Sequence, residues 1–377
     1  MKTATKNRFV SSLVALVAGV AAGAFAQGSL TPPEGTPLPT MKTLAQIEPR
    51  TPISELPYAI TTPGSYYLTT NLVTQYSGIS ISASDVTVDL MGFSIAGDRG
   101  PSDTGVYVDG KTNAPCCNIV VRNGVVKNFG YGLQLANAQN SLLEYLTVSD
   151  SERMGIQLDG SYGGDCSGNR IANCRVSGSV YSGLGFFANY AGKCDDNSIS
   201  DCTFRKNAGE GVGMYAGSGQ CNQNGFRNCM IQDNVSYGII VQALSGGSCC
   251  GNVIEMCNIS GNANYGIHLY GESSTVVGNR ISQCTLYNNT SCGIRQYYGG
   301  ASQINGNLVS GTRGASSCGI YVYSQSPNLV VQNTCVGQTN NYDIGSVATY
   351  GPIVTASGAL STTNGAAGLS PWANFSR

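Results

Sequence analysis

The sequence carries little charge and almost nothing suited to acid–base chemistry near neutrality. Of its 377 residues only 11% are charged, and 20 Lys and Arg against 21 Asp and Glu leave a formal net charge of −1. There is one His and one Trp. A chain without a basic footprint is not built for nucleic acid, and no polybasic patch is present for an anionic membrane. One His and no compact four-ligand cluster imply neither a metal site nor a cofactor. Beyond the N-terminus no apolar run is long enough to span a bilayer. Helix-length apolar periodicity is also missing between the apolar positions.

Glycine, by contrast, is abundant, with 50 residues. Many of them open one recurring stretch: Gly, a branched apolar residue, any residue, another apolar residue. It starts at Gly78, Gly105, Gly132, Gly155, Gly183, Gly211, Gly238, Gly266, Gly293 and Gly319, at spacings of 27, 27, 23, 28, 28, 27, 28, 27 and 26. A fixed period in this range marks a stacked repeat architecture. Alternating apolar and free positions mark a strand. The expected fold is all-β, a right-handed parallel β-helix of about ten coils. At about 4.8 Å per coil it would be roughly 50 Å long.

Other columns keep the register. Asn169, Asn197, Asn224, Asn252, Asn279 and Asn307 recur at 27 or 28, and Asn128, Asn207, Asn234, Asn262 and Asn289 stand four residues before the strand Gly. Stacked amides hydrogen-bond up the column, and Asn tolerates the left-handed backbone of sharp turns. Apolar columns such as Ile171, Ile199, Phe226, Ile254 and Ile281 complete a core that no single coil buries alone.

Residues 1–26 read as a signal peptide: Lys2, Lys6 and Arg8, an apolar stretch, then Ala24-Phe25-Ala26. Cleavage would leave 377 − 26 = 351 residues, secreted to the extracellular space, the cell surface or the periplasm. Residues 27–40 read as a Pro-rich linker and 41–63 as an N-terminal cap with room for one short helix. Residues 64–342 are the expected β-helix. Residues 343–377 are a C-terminal capping tail, in which Ile353, Val354, Trp372 and Phe375 cover the open end or lie along the rod.

The repeat Asn-x-Ile-x-x-Cys-x-Ile … Asn-x-x-x-Gly-Ile-x-Leu resembles that of the pectin-lyase-like superfamily. Asp85-Val86-Thr87-Val88-Asp89-Leu90 resembles its first coils, and the segments around Met41–Arg50 and Ser370–Phe375 resemble the flanks of a secreted bacterial subfamily. The superfamily includes polysaccharide lyases, glycoside hydrolases, epimerases, tailspikes and adhesins, so the resemblance implies a fold and leaves the activity open. Its enzymatic signatures are sparse here. Asp195-Asp196 resembles the paired aspartates of polygalacturonases, but the accompanying motifs are absent. The coils also lack the long insertions from which such enzymes build clefts.

All 15 Cys follow residue 26. Cys166, Cys194, Cys221 and Cys249 form one column; Cys174, Cys202, Cys229, Cys257 and Cys284 form another. In a secreted chain these suggest intra-coil disulfides, 166–174, 194–202, 221–229 and 249–257. The alternative is a ladder of buried thiols, favoured by Val276, which replaces the first Cys of a pair while Cys284 stays.

Within Gly-Ile-x-Leu the x position and the residue after Leu face outward. The later outward column contains Phe187, Tyr215, Gln242, Tyr270, Tyr297 and Tyr323. An aromatic stripe of this kind suits a sugar polymer, although stacked rings also stabilise neighbouring strands. The candidate ligand-binding residues are Phe187, Tyr215, Tyr270, Tyr297 and Tyr323. A candidate catalytic tetrad is His268, Arg295, Tyr270 and Tyr297: Arg would neutralise a uronate carboxylate while His or Tyr moves the neighbouring proton. Even coil lengths, low charge and the stripe favour a non-catalytic protein that binds polysaccharide or is a component of the envelope, its partner a polysaccharide or a cell-envelope glycan. The alternatives are a lyase or epimerase acting on an acidic glycan, and a purely structural rod.

Overall fold

A computed structural model describes residues 48–312, 314, 317–355 and 370–377. The expected signal peptide and linker lie outside the described residues. Every regular element among the described residues is a β-strand. Each typical coil contributes one strand to a 12-stranded sheet and two to a 24-stranded sheet. One coil runs through Ile156–Asp159, Arg170–Ala172 and Arg175–Ser177. These pair in parallel with Leu184–Phe187, Ser198–Ser200 and Thr203–Arg205 of the next coil. The winding is a right-handed parallel β-helix, as the repeat predicts.

The inward residues close the core. Ile156, Leu158, Ile171 and Val176 are fully buried, as are Leu184, Phe186, Ile199 and Phe204 above them. Each such side chain contributes about 1.5–3 kcal/mol once covered, and only the neighbouring coils can cover it.

Strands begin earlier than residue 64. Thr51–Ile53 pairs with Tyr66–Leu68, and Tyr58–Ile60 pairs with Ile79–Ile81, so part of the expected cap belongs to the sheets. Three-residue strands are too short to show a period. At the other end Ile353–Val354 and Asn374–Ser376 pair with each other, and the latter also joins Thr334–Val336. Asn374 Oδ1 accepts the Asn333 backbone N–H at 3.1 Å, so the C-terminal residues extend the stack.

The asparagine columns are hydrogen-bonded ladders. Asn197 N–H and Nδ2 both donate to Asn224 Oδ1 at 3.0 Å, and Asn207 N–H and Nδ2 donate to Asn234 Oδ1 at 3.1 and 2.9 Å. The ladder residues themselves are not left-handed. That conformation falls on the residue just before: Gly168, Asp196, Gln223 and Gly251 in one column, Lys206, Asp233, Gly261 and Asn288 in the other. Asn128 is one of these left-handed residues (φ 59°) rather than a rung, and Phe129 follows it into the core.

Asn307 is displaced as well. It accepts the Cys284 N–H at 2.9 Å, which places it in the second cysteine column. That column continues through Asn333 and Asn374. Cys202 Sγ, 3.5 Å from the Cys174 N–H, stands where an amide oxygen stands further along. It also donates to Ser200 O at 3.1 Å. A thiol here satisfies turn backbone much as an amide does. All fifteen cysteines are free thiols, and none of the pairs 166–174, 194–202, 221–229 and 249–257 is joined. Cys166 Sγ and Cys174 Sγ instead point to the carbonyls of Leu135 and Leu143, one coil back.

Candidate functional site

The outward columns of the 12-stranded sheet stack in the register the spacing predicts. Phe187 pairs with Tyr215, Tyr215 with Gln242, Gln242 with Tyr270, Tyr270 with Tyr297, and Tyr297 with Tyr323. The rings stack on one another: Phe187 on Tyr215 at 5.3 Å, Tyr270 on Tyr297 at 6.2 Å, and Tyr297 on Tyr323 at 5.4 Å between centroids. Tyr298 packs across three of them, 4.4 Å from Tyr297. Tyr297 is stacked on both sides, whereas Phe187, Tyr215, Tyr270 and Tyr323 each stack on one neighbour, the row being broken at Gln242.

Two glycines make room for this arrangement. A Cβ at Gly185 would lie 2.7 Å from Phe187 Cε2, and one at Gly213 would lie 2.4 Å from Tyr215 Cε2. Each ring leans back over the glycine two residues before it. Tyr215 reaches Glu210 and Ser182, and burial followed by the Glu210 carboxylate pushes its hydroxyl well above the usual range. Ser182 Oγ donates to Glu210 Oε2 at 2.7 Å. The Tyr270 hydroxyl is committed to Glu272.

The four residues of the candidate tetrad do come together. His268 pairs with Arg295 across adjacent strands, and Arg295 Nη1 lies 2.9 Å from His268 Nε2. Guanidinium has no acceptor, so the imidazole accepts this bond and is neutral with its proton on Nδ1. Burial, then the Arg295 charge, lowers the His268 pKa to about 3. Only 5% of His268 is exposed.

The cover comes from a row that the sequence reading missed. Glu210, Tyr237 and Tyr265 each immediately precede a repeat glycine. Tyr237 and Tyr265 stack at 5.7 Å, and their ring centroids lie 5.5 and 4.9 Å from that of His268. Two tyrosines at one repeat position were the available signal. Strict alternation assigns that position inward, but the chain bends at the glycine and turns it outward.

Arg295 stands among the rings of Tyr297, Tyr265 and Tyr321 at 4.2, 5.1 and 5.4 Å. Such contacts are worth roughly 0.5–2 kcal/mol each. None of the ion pairs among the described residues includes it. The face thus holds a half-buried guanidinium outside every ion pair among the described residues, although Glu272 and Asp343 act on the tyrosines around it, Tyr270 and Tyr321.

Asp195 and Asp196 do not reach this face. They lie in the turn before Asn197, where Asp195 Oδ1 accepts the Asn222 N–H at 2.6 Å. A polar cavity of about 410 Å³ lies in the same series of turns, lined by Gly246, Gly271, Ser273, Thr275, Gly299 and Ser326 among others.

The family described as "Right handed beta helix region" matches residues 64–248, 184–336 and 220–374. No curated protein matches the sequence. Among solved structures, the A-module of a mannuronan C-5 epimerase from Azotobacter vinelandii is 16% identical and superposes with a TM-score of 0.58, over 84% of this chain and 91% of that one. The catalytic unit of an α-1,3-glucanase from Streptomyces thermodiastaticus is 12% identical with a TM-score of 0.51, over 87% of this chain and 61% of that one. A pectate lyase is 16% identical with a TM-score of 0.48, over 74% and 71%. At these identities the likeness is one of fold.

Proposed function

The chain belongs to the right-handed β-helix family, and from that premise we propose that it is a secreted, non-catalytic protein that binds an anionic polysaccharide on the outer face of its 12-stranded sheet. The observation that carries the reading is Arg295. A half-buried guanidinium held by three tyrosine rings, with no ion-pair partner among the described residues, is a ready site for a uronate carboxylate. Tyrosine hydroxyls beside it, on Tyr297, Tyr321 and Tyr323, supply polar contacts to sugar hydroxyls.

The non-catalytic part rests on His268. A general base needs a free lone pair within hydrogen-bond reach of its substrate. The Nε2 lone pair of His268 is engaged by Arg295, the imidazole is covered by tyrosines, and its basicity is low.

The test is affinity electrophoresis of the full chain through polygalacturonate, alginate and neutral dextran, with absorbance of unsaturated ends followed in parallel. The reading expects retardation by the two anionic polymers, little by dextran, and no new absorbance. Unsaturated ends that disappear in His268→Gln would make the protein a lyase and end this reading.

A further inference from the structure

A sugar ring stacks best on an aromatic face that stands well clear of the protein, and the rings of the stripe are half-exposed at most. Tyr162 and Tyr190 stand further out. They sit at the same place in successive turns leaving the 12-stranded sheet, where Tyr162 N–H donates to Asn189 O and Tyr190 N–H to Gly217 O, both at 3.0 Å. Their rings stack at 4.8 Å and 16°. They are 75% and 64% exposed, well above Tyr323, the most exposed ring of the stripe, at 51%.

The backbone there is unfavourable for these residues. Tyr162, Tyr190 and Ala191 hold φ of 60°, 52° and 60°. A left-handed conformation costs a residue with a Cβ roughly 1–2 kcal/mol, and such turns ordinarily take Gly or Asn. The equivalent turn two coils beyond Tyr190 uses Ser245 followed by Gly246. Two tyrosines kept in strained turns, with their rings mostly in water, do little for the core. Left-handed residues recur in the turns of most coils, so it is the two exposed, stacked rings rather than the backbone that single this pair out.

Both outer faces of the pair are open. Beyond Tyr190 the equivalent residue is Ser218. Before Tyr162 the preceding coil is short, with 23 residues from Gly132 to Gly155 in place of 27 or 28, and it turns back through Ala138–Gln139.

We propose that Tyr162 and Tyr190 form a stacking platform for one pyranose ring of the bound polysaccharide. The platform rests on the polysaccharide-binding reading and extends it. It lies four coils from Arg295, about 19 Å along the stack, so a polymer that engages both runs along the rod. The two contacts differ in chemistry: Arg295 recognises a carboxylate, whereas the platform recognises the C–H face of a sugar whether or not it is charged.

The test compares the full chain, Tyr162→Asn/Tyr190→Asn and Arg295→Gln in gels containing polygalacturonate or its methyl ester. Asn suits the left-handed turn, so the double variant is expected to keep or raise the melting temperature. Its binding to both polymers is expected to weaken roughly tenfold. Arg295→Gln is expected to lose only the preference for the charged polymer. Unchanged retardation of the double variant in both gels overturns the platform and leaves the Arg295 reading standing. A lower melting temperature with unchanged binding makes the pair a fold element and also overturns the platform. Wild-type protein that runs freely in every gel overturns both readings.

Discussion

The Arg295 guanidinium donates to His268 Nε2 across 2.9 Å, and this bond sets the tautomer of the imidazole, while burial and then the Arg295 charge keep it neutral. With its pKa lowered to about 3, His268 is neutral in the folded protein over a range in which the unfolded chain, near 6.5, takes up a proton. Between those values the unfolded state binds more protons. Stability is therefore full above about pH 6.5 and falls as pH drops toward 3, by up to about 1.4 kcal/mol per unit from this group. Urea unfolding of wild type and His268→Gln between pH 4 and 8 checks it. The difference between them should grow with pH up to about 6.5 and then level off. An imidazole that titrates near 6.5 by NMR in the folded protein would contradict the burial.

Asn234 holds its ladder from both sides. Its Oδ1 accepts the N–H and Nδ2 of Asn207, while its Nδ2 donates to Asn262 Oδ1 at 2.9 Å and Phe204 O at 3.3 Å. Asn234→Ala leaves the buried Asn207 N–H and Nδ2 without their acceptor and takes one donor each from Asn262 Oδ1 and Phe204 O, a loss of about 2–4 kcal/mol. Asn264→Ala, in the adjoining turn, removes no rung and should cost much less. Equal melting temperatures for the two variants would show that the ladder adds little.

The thiols give a prediction by counting. In the native protein Cys117 and Cys250 are half-buried and the other thirteen cysteines are buried. Burial keeps the reagent from these thirteen sulfurs, and reactivity follows access. Iodoacetamide applied to native protein should label Cys117 and Cys250 first. After denaturation without reductant, intact mass should show fifteen additions. A count lower by two or more would reveal disulfides that the free-thiol columns do not contain.

Much of this fold is legible in the sequence because the repeat is nearly constant. Strands that recur at 26–28 residues stack without slippage, so the pairing of Tyr270 with Tyr297 and of His268 with Arg295 follows from counting. Counting fails where a turn changes length. Asn307 keeps the 28-residue interval but sits in the cysteine column, because the turn after Tyr297 is short. It also fails where the chain bends, and so it does not find Tyr237 and Tyr265, which cover His268. Ring orientation is a third limit. A column of tyrosines reads as a row of open faces, yet the 5–6 Å between neighbouring rings leaves them stacked on each other.

The most direct measurement is the affinity of a purified oligogalacturonate for the full chain and for Arg295→Gln at low and moderate salt, by calorimetry. A guanidinium outside any ion pair that meets a carboxylate predicts binding about tenfold or more weaker in the variant, with a smaller salt dependence. The oligosaccharide should also be recovered intact. Equal affinity in the two proteins, or recovery of cleaved sugar with unsaturated ends, would contradict a binding face centred on Arg295.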